Sequence, residues 1–191
     1  MNVVRTDIPD VVIIEPKVFA DGRGYLIESW SQRVFDEQVR PVHFVQDNES
    51  KSKYGVIRAF HYQTGDNAQG KLVRVVQGKV LDVAVDVRKG SPTFGKHVSV
   101  ELSGENKRQL FIPRGFAHGF AALSDNVIFQ FKCDNYYAPQ SEVAIAWDDP
   151  DIGVNWHLPA SDILIAPKDM HNLRFVDLTE LYDYSIDYYH K

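Results

Sequence analysis

The 191-residue chain has a single cysteine, Cys133. One thiol excludes an internal disulfide framework and a zinc site built from several cysteines of one chain. Basic clusters are also missing. Lys plus Arg number 21 against 26 Asp plus Glu, a formal charge of −5. A mildly acidic chain without a basic stripe is a poor match for nucleic acid or an anionic membrane. No stretch approaches the roughly 18 consecutive apolar residues of a membrane-spanning helix. The opening MNVVRTDIPD lacks the apolar centre of a secretory signal. Repeats, low-complexity tracts and linkers are absent, as is the G-x-G-x-x-G turn of nicotinamide-binding folds. These absences lead us to expect a soluble cytoplasmic protein with no redox cofactor and no nucleic-acid or membrane partner. What is present is apolar and aromatic. Hydrophobic residues make up 44% of the chain and aromatics 12%, enough to close a core without cross-links.

Strand-like alternation is common and helical periodicity scarce. Along Lys79 to Val87, Leu81, Val83, Val85 and Val87 share one face, and Asp82, Ala84 and Asp86 the other. The preceding run, Lys71 to Val76, is set off by Gln77-Gly78, which reads as a tight turn. Further strands are predicted over Val11–Glu15, Gly24–Trp30, His43–Asp47, Val56–Gln63, His97–Leu102, Gln109–Ile112, Gly119–Leu123, Val127–Cys133 and Val143–Trp147. Turn signals such as Asp21-Gly22, Pro113-Arg114-Gly115 and Ser124-Asp125-Asn126 punctuate them. Many short strands at this spacing predict an all-β sandwich or barrel. One early helix is predicted over Ser31–Val39, with Ser31 as N-cap. In Asp177–Lys191, the residues Leu178, Leu181, Tyr182, Ser185, Ile186 and Tyr189 fit one helical face, which predicts a short docked helix. The chain divides accordingly into one domain over residues 1–176 and a tyrosine-rich extension over 177–191.

Inward-pointing polar groups in a barrel are costly unless paired, so a cluster of them suggests a site. Arg58 and His61 stand among apolar residues of one predicted strand, Lys71 opens another, and His118 is flanked by Phe116, Ala117, Gly119 and Phe120. Gln46-Asp47-Asn48-Glu49-Ser50 lies between apolar runs. Taken singly, each has a plainer reading as a hydrogen-bonded core histidine or a snorkelling edge lysine. Pro113 to His118 fits the P-x-G-x-x-H signature of cupin barrels. Metal-binding cupins also carry H-x-H followed by a glutamate, whereas His61-Tyr62-Gln63 offers neither a second histidine nor a suitably spaced carboxylate. Two histidines leave a zinc or iron site short of ligands, so no metal is expected. His43, His97, His157, His171 and His190 show no ligand spacing with them and read as structural or surface residues.

Six ordered motifs then resemble the dTDP-4-dehydrorhamnose 3,5-epimerase family from about Thr6 to Asp169. They are VFADGRGYLIESWS (18–31), FVQDNESKSKYGVIRAFHYQ (44–63), GKLVRVVQGKVLDVAVDVRKGSPTFG (70–95), FIPRGFAHGFAALSD (111–125), FQFKCDNYYAPQSE (129–142) and WDDPDIGVNW (147–156). The resemblance implies a metal-free cupin-type double-stranded β-helix, or jelly-roll barrel, with a few short helices and no cofactor. It implies a dTDP-4-keto-6-deoxy-sugar substrate and a homodimer with exchanged N-terminal strands. In such a substrate the C4 ketone acidifies the hydrogens at C3 and C5, and inversion follows if one face loses a proton and the other regains it. A base of near-neutral pKa suits that step. By resemblance, His61 is the base, Asp169 the carboxylate behind it, and Lys71 the cation beside the enolate oxygen. Arg58 matches a diphosphate contact, His118 a further site residue, and Gln46 and Asn48 nucleotide- and phosphate-side contacts. Arg23 and Glu28 match residues that reach into the neighbouring subunit's site. Tyr137 and Glu142 lie in the later pocket segment.

Two positions depart from the family pattern. Ala59 replaces the glycine of R-G-x-H, where a methyl group either crowds the pocket or is harmless. Phe131 replaces the tyrosine of Y-K-C, which is the acid that returns a proton opposite the base. General acid catalysis contributes roughly 10²- to 10⁴-fold. Water or Tyr137 is then left to supply that proton. On this basis the readings beside a 3,5-epimerase are a single-carbon 3- or 5-epimerase and a silent nucleotide-sugar binder. Phe131 itself also reads as a plain core aromatic.

Overall fold

The computed structural model describes residues 1–189. The chain opens with β1 (Asn2–Arg5), β2 (Val12–Glu15), β3 (Val18–Asp21), β4 (Gly24–Ile27) and one helix, α1 (Gln32–Gln38). The central strands are β5 (Gln46–Ser52), β6 (Val56–Gln63), β7 (Lys71–Gln77), β8 (Lys79–Asp86), β9 (Arg88–Lys89), β10 (His97–Ser103) and β11 (Gln109–Ile112). They are followed by β12 (Phe116–Ala122), β13 (Val127–Cys133), β14 (Glu142–Ala144), β15 (Leu164–Ile165) and β16 (Tyr182–Asp183). Two sheets carry the architecture, in the orders β1-β2-β11-β7-β13-β5 and β10-β8-β12-β6-β14. They form the expected jelly roll: the chain alternates between the sheets from β5 to β8 and again from β10 to β14, and neighbours in these two orders run antiparallel. No helix among the described residues is long and apolar enough to cross a membrane.

Apolar residues of both sheets meet between them. Val73, Val75, Leu110 and Phe129 of the first sheet pack with Val80, Ala84, Val100, Leu102 and Phe120 of the second. The fully apolar face of β8 looks the other way. Leu81, Val83, Val85 and Val87 pack under Trp156, Leu178 and Tyr182 of the C-terminal segment. Both faces of β8 are therefore buried, and its inner face carries Asp82 and Asp86 at 0% exposure. A third cluster lies outside the first sheet, where Phe35 of α1 covers Val12, Ile14, Leu72 and Phe111.

Several boundaries differ from the sequence reading. Gln77-Gly78 is a corner that carries the chain from one sheet to the other, since β7 and β8 do not pair. Gly78 has φ +79°, and a Cβ there would stand 2.7 Å from Ser124 Oγ, so glycine is required. β5 begins at Gln46 rather than His43 because an edge strand of alternating polar residues carries little hydrophobic signal. β12 starts three residues earlier than predicted, which brings His118 into the strand. β14 starts at Glu142 and stops at Ala144. Ser31 does occupy the N-cap of α1, but its side chain makes no capping bond.

The tail is not the docked helix its periodicity suggests. His190 and Lys191 lie outside the described residues. Before them, Phe175–Asp177 forms one 3₁₀ turn and β16 adds in parallel to β9. The reason is tertiary: Tyr182 N–H donates to Val87 O at 3.2 Å and its hydroxyl donates to Gln63 O, while Tyr62 Oη donates to Glu180 O at 2.8 Å. These bonds to existing strands replace helical ones. Tyr182 is 3% exposed, so Tyr182→Ala should cost roughly 3–5 kcal/mol of stability, as for other large buried aromatics. Chemical denaturation measures this, and a loss under about 1 kcal/mol would show that the tail does not brace the second sheet.

Candidate active site

The second sheet departs from regular register at one place. β12 pairs His118 with His61 but Phe120 with Arg58, so Ala59 and Phe60 together oppose Gly119 alone. This is a β-bulge. Residues 58 and 61 are an odd number apart and would point to opposite faces of a regular strand. The bulge instead sends Ala59 and Phe60 to the outer apolar cluster and both Arg58 and His61 to the lumen. The question posed by Ala59 is thereby answered. Its methyl group lies against Gly119, where a Cβ would come within 2.5 Å of it, and not in the lumen.

Cross-strand pairs share a face, so register places the other side chains. Cys133 pairs with both Lys71 and Gln46, and Phe131 pairs with Val73 and Asn48. Lys71, Gln46, Asn48, Phe131 and Cys133 therefore line the lumen from the first sheet. Arg58, His61, His118 and Glu142 line it from the second. Arg58 is inward-facing yet exposed, with its Nε donating to Ser52 Oγ at 3.3 Å, which marks the open mouth. Phe129, 1% exposed, stacks on Phe120 at 4.3 Å and closes the floor.

His61 lies between two carboxylates. Its Nε2 is 3.2 Å from Asp169 Oδ1, which a 3₁₀ turn over Pro167–Asp169 delivers to the lumen. Its Nδ1 is 3.5 Å from Glu142 Oε1 and has no hydrogen-bond partner. Burial pushes the His61 pKa below the usual histidine value. Asp169 and then Glu142 pull it up, and Lys71 and Lys168 push it down. The imidazole is thus neutral and basic at pH 7 while its protonated form has carboxylates to meet it. Burial also lowers the Lys71 pKa, against the pull of Cys133, Glu142 and Asp82. Lys71 has no ion-pair partner within 4 Å among the described residues, so its charge is available to an incoming oxygen. The Cys133 thiol is pushed up to about 11, chiefly by burial.

The remaining expected residues divide. Gln46 Nε2 donates to Asn48 Oδ1 at 2.9 Å, and Gln46 Oε1 accepts from Tyr137 N–H at 3.1 Å. Tyr137 Oη donates to Glu142 Oε2 at 3.3 Å. Its hydroxyl therefore sits on the base's own side and not at Phe131, which stands on the opposite sheet. Arg23 and Glu28 are not brought to this lumen within one chain. Arg23 pairs with Asp21 at 2.7 Å on the exposed β3–β4 hairpin, and Glu28 lines a cleft of about 290 Å³ beside α1.

Two residues escaped the sequence reading. Asp82, wholly buried, holds His118 Nε2 at 3.0 Å. Its inward alternation with Ala84 was visible, but which face of β8 looks inward was not. Gln63, 3% exposed, donates to Asn67 O and Tyr136 O and accepts from Ala138 N–H. It pins the loop that carries Tyr137, and nothing in its local sequence signals this.

A neutral base, backed by carboxylates and facing a cation across an open jelly-roll lumen, is equipment for enolising a carbonyl substrate. The class is that of cupin-type isomerases that work by proton transfer. The chain belongs to the dTDP-4-dehydrorhamnose 3,5-epimerase family, whose model matches residues 5–177. It is 57% identical over 178 residues to the dTDP-4-dehydrorhamnose 3,5-epimerase of Shigella flexneri, covering 93% of this chain and 97% of the relative. The crystal structure of the Legionella pneumophila epimerase in complex with dTDP-4-keto-L-rhamnose is 46% identical. It superposes with a TM-score of 0.93 over 96% of this chain and 98% of that one. The 3′-monoepimerase ChmJ of Streptomyces bikiniensis, in complex with dTDP-quinovose, is 29% identical, with a TM-score of 0.86 over 95% and 93% of the two chains. The protein is accordingly an isomerase, an epimerase acting on carbohydrate.

Two outcomes follow from the geometry. Gly119→Ala drives a methyl group against Ala59 and to 2.9 Å from Arg58 O. It should cost about 1–3 kcal/mol, as overpacking does, and displace Arg58 and His61 together. Adding Ala59→Gly should recover part of both stability and turnover. Thermal unfolding and kcat of the single and double variants check this, and a double variant no better than the single one would count against the bulge contact. With His61 as the expected base and its pKa lowered by burial, the acid limb of kcat/KM should fall below pH 6.5. A limb above pH 7 would contradict that environment.

Proposed function

We propose that the protein inverts C3 and C5 of a dTDP-4-keto-6-deoxy-hexose in the manner of dTDP-L-rhamnose-type precursors, and that it works in the cytoplasm. The observation that carries this reading is the His61 ring between Asp169 and Glu142 in a lumen whose other wall presents Lys71. His61 removes the proton next to the C4 ketone, and Asp169 orients the ring and stabilises its charged form. Lys71 meets the enolate oxygen as negative charge develops on it. Arg58, exposed at the mouth, takes the diphosphate by its guanidinium. Gln46, Asn48, His118, Tyr137 and Glu142 contact the rest of the substrate. The working unit is a homodimer in which Arg23 and Glu28 complete the partner's site. The hairpin bearing Arg23 exposes Phe19, Tyr25 and Leu26, an apolar surface suited to burial against a second copy.

Phe131 favours a second reading, single-carbon inversion at C3 or C5, because the ring opposite His61 has no proton to give. Water then reprotonates that face, and inversion is slow at the carbon that most needs a positioned acid.

Incubation of the protein with dTDP-4-keto-6-deoxyglucose in D₂O, followed by NMR, should show deuterium at both C3 and C5 with L-configured product; the single-carbon reading expects deuterium in product at C3 alone with the D configuration kept, or at C5 alone with L-configured product. His61→Asn should abolish incorporation at every carbon. Binding without any exchange would establish a silent binder instead. Phe131→Tyr should raise the rate of the slower inversion by roughly 10²- to 10⁴-fold; no gain would show that this chain has another donor. Arg23→Ala should raise KM, and mixing it with His61→Asn should restore activity only if sites are shared between subunits.

A further inference from the structure

The two carboxylates beside His61 differ in where they lead. The Asp169 side chain is 5% exposed and ends in the interior. Glu142 is 26% exposed, and its second oxygen accepts from Tyr137 Oη at 3.3 Å. Tyr137 is 54% exposed. From His61, at 19% exposure, there is thus a stepwise path of proton-carrying groups out to water. His61 Nδ1 is the buried ring nitrogen without a hydrogen-bond partner, and Glu142 Oε1 is the carboxylate oxygen beside it.

We propose that Glu142 and Tyr137 form the route by which the proton abstracted by His61 leaves for solvent. This inference rests on the epimerase reading above. Asp169 holds the proton of the neutral ring on Nε2, which leaves the lone pair on Nδ1; that nitrogen lies buried beside Glu142, so the Glu142 side chain moves aside as the reacting carbon reaches it. The C–H bond next to the ketone breaks, its electron pair enters the enolate at Lys71, and the proton arrives on Nδ1. From there it passes to Glu142. The neutral carboxyl gives a proton to the Tyr137 oxygen as the Tyr137 hydroxyl gives one to water. A water on the Phe131 side then protonates the carbon, and the hydroxide left behind is neutralised by the released proton. The path matters more here than in a chain with tyrosine at 131. Without a donor opposite the base, the abstracted proton must leave before it returns to the carbon it came from.

The groups facing His61 are Asp169, Glu142, Lys71 and Lys168, with His118 opposite on β12. Glu142→Gln keeps the shape and removes both the negative charge and the ability to carry a proton. In D₂O at partial conversion, the wild-type protein should return substrate already deuterated at the reacting carbon. In Glu142→Gln, deuterium in recovered substrate per turnover should fall at least fivefold, and the acid limb of kcat/KM should move to lower pH. Tyr137→Phe, at an exposed position, tests the same path without risk to folding. It should lower deuterium in recovered substrate while leaving the limb in place. A rise in KM for both variants with unchanged deuterium per turnover would make Glu142 and Tyr137 substrate contacts only and overturn the relay. Absence of deuterium from every carbon with the wild-type protein would instead overturn the epimerase reading itself.

Discussion

The bulge at Ala59-Phe60 against Gly119 is the constraint on which the site depends. Without the extra residue, Arg58 and His61 would face opposite sides of β6, and one of them would lie in the apolar layer outside the sheet. A methyl-sized change at Gly119 cannot be absorbed there, because the opposing atoms are Ala59 and the Arg58 carbonyl. The same close approach explains why an alanine at 59 is accommodated: its side chain is spent on packing against β12 and never enters the lumen.

Placing this many ionisable groups in one lumen is costly in a low-dielectric interior, and the structure offsets that cost unevenly. His118 Nε2 is held by Asp82 at 3.0 Å, which anchors this histidine at the floor. His61 is neutral by burial and flanked by carboxylates that favour its charged form. Lys71 has charges around it but no ion-pair partner within 4 Å among the described residues. The pairs that are satisfied give rigidity, and the group left unpaired is the one positioned for developing negative charge. Phe131 and Phe129 contribute an apolar wall that strengthens each of these interactions and supplies no proton.

The C-terminal segment holds this arrangement from outside. Tyr182 and Tyr62 tie it to the end of β6, directly after His61. Tyr189 Oη accepts from Arg114 N–H, and Arg114 in turn holds Asp134, which binds the Gly70 amide next to Lys71. Both strands that bear the central residues thus end in hydrogen bonds traceable to the tail. This accounts for its richness in tyrosine: an aromatic body fills the outer layer, and the hydroxyl reaches a backbone group or a carboxylate.

The sequence by itself determined the strand-rich class, most strand positions, and the residue types of the site. Alternation over Val127–Cys133 and Lys79–Val87 is a local property, and the chemistry-bearing motifs around His61, Lys71 and His118 stand out against apolar neighbours. Gln46 and Asn48 were legible only through the motif that contains them, since a polar edge strand has no periodic apolar signal. What only the tertiary structure decided was which faces meet. Alternation cannot say which side of β8 looks inward, so Asp82 stayed hidden behind the more apolar Leu81–Val87 face. It cannot register a bulge, because that depends on Gly119 sixty residues away from Ala59. Nor can the helical spacing of the tail foresee that backbone bonds to Val87 and Gln63 outweigh those of an isolated turn. In each case the deciding partner is distant in sequence and close in space.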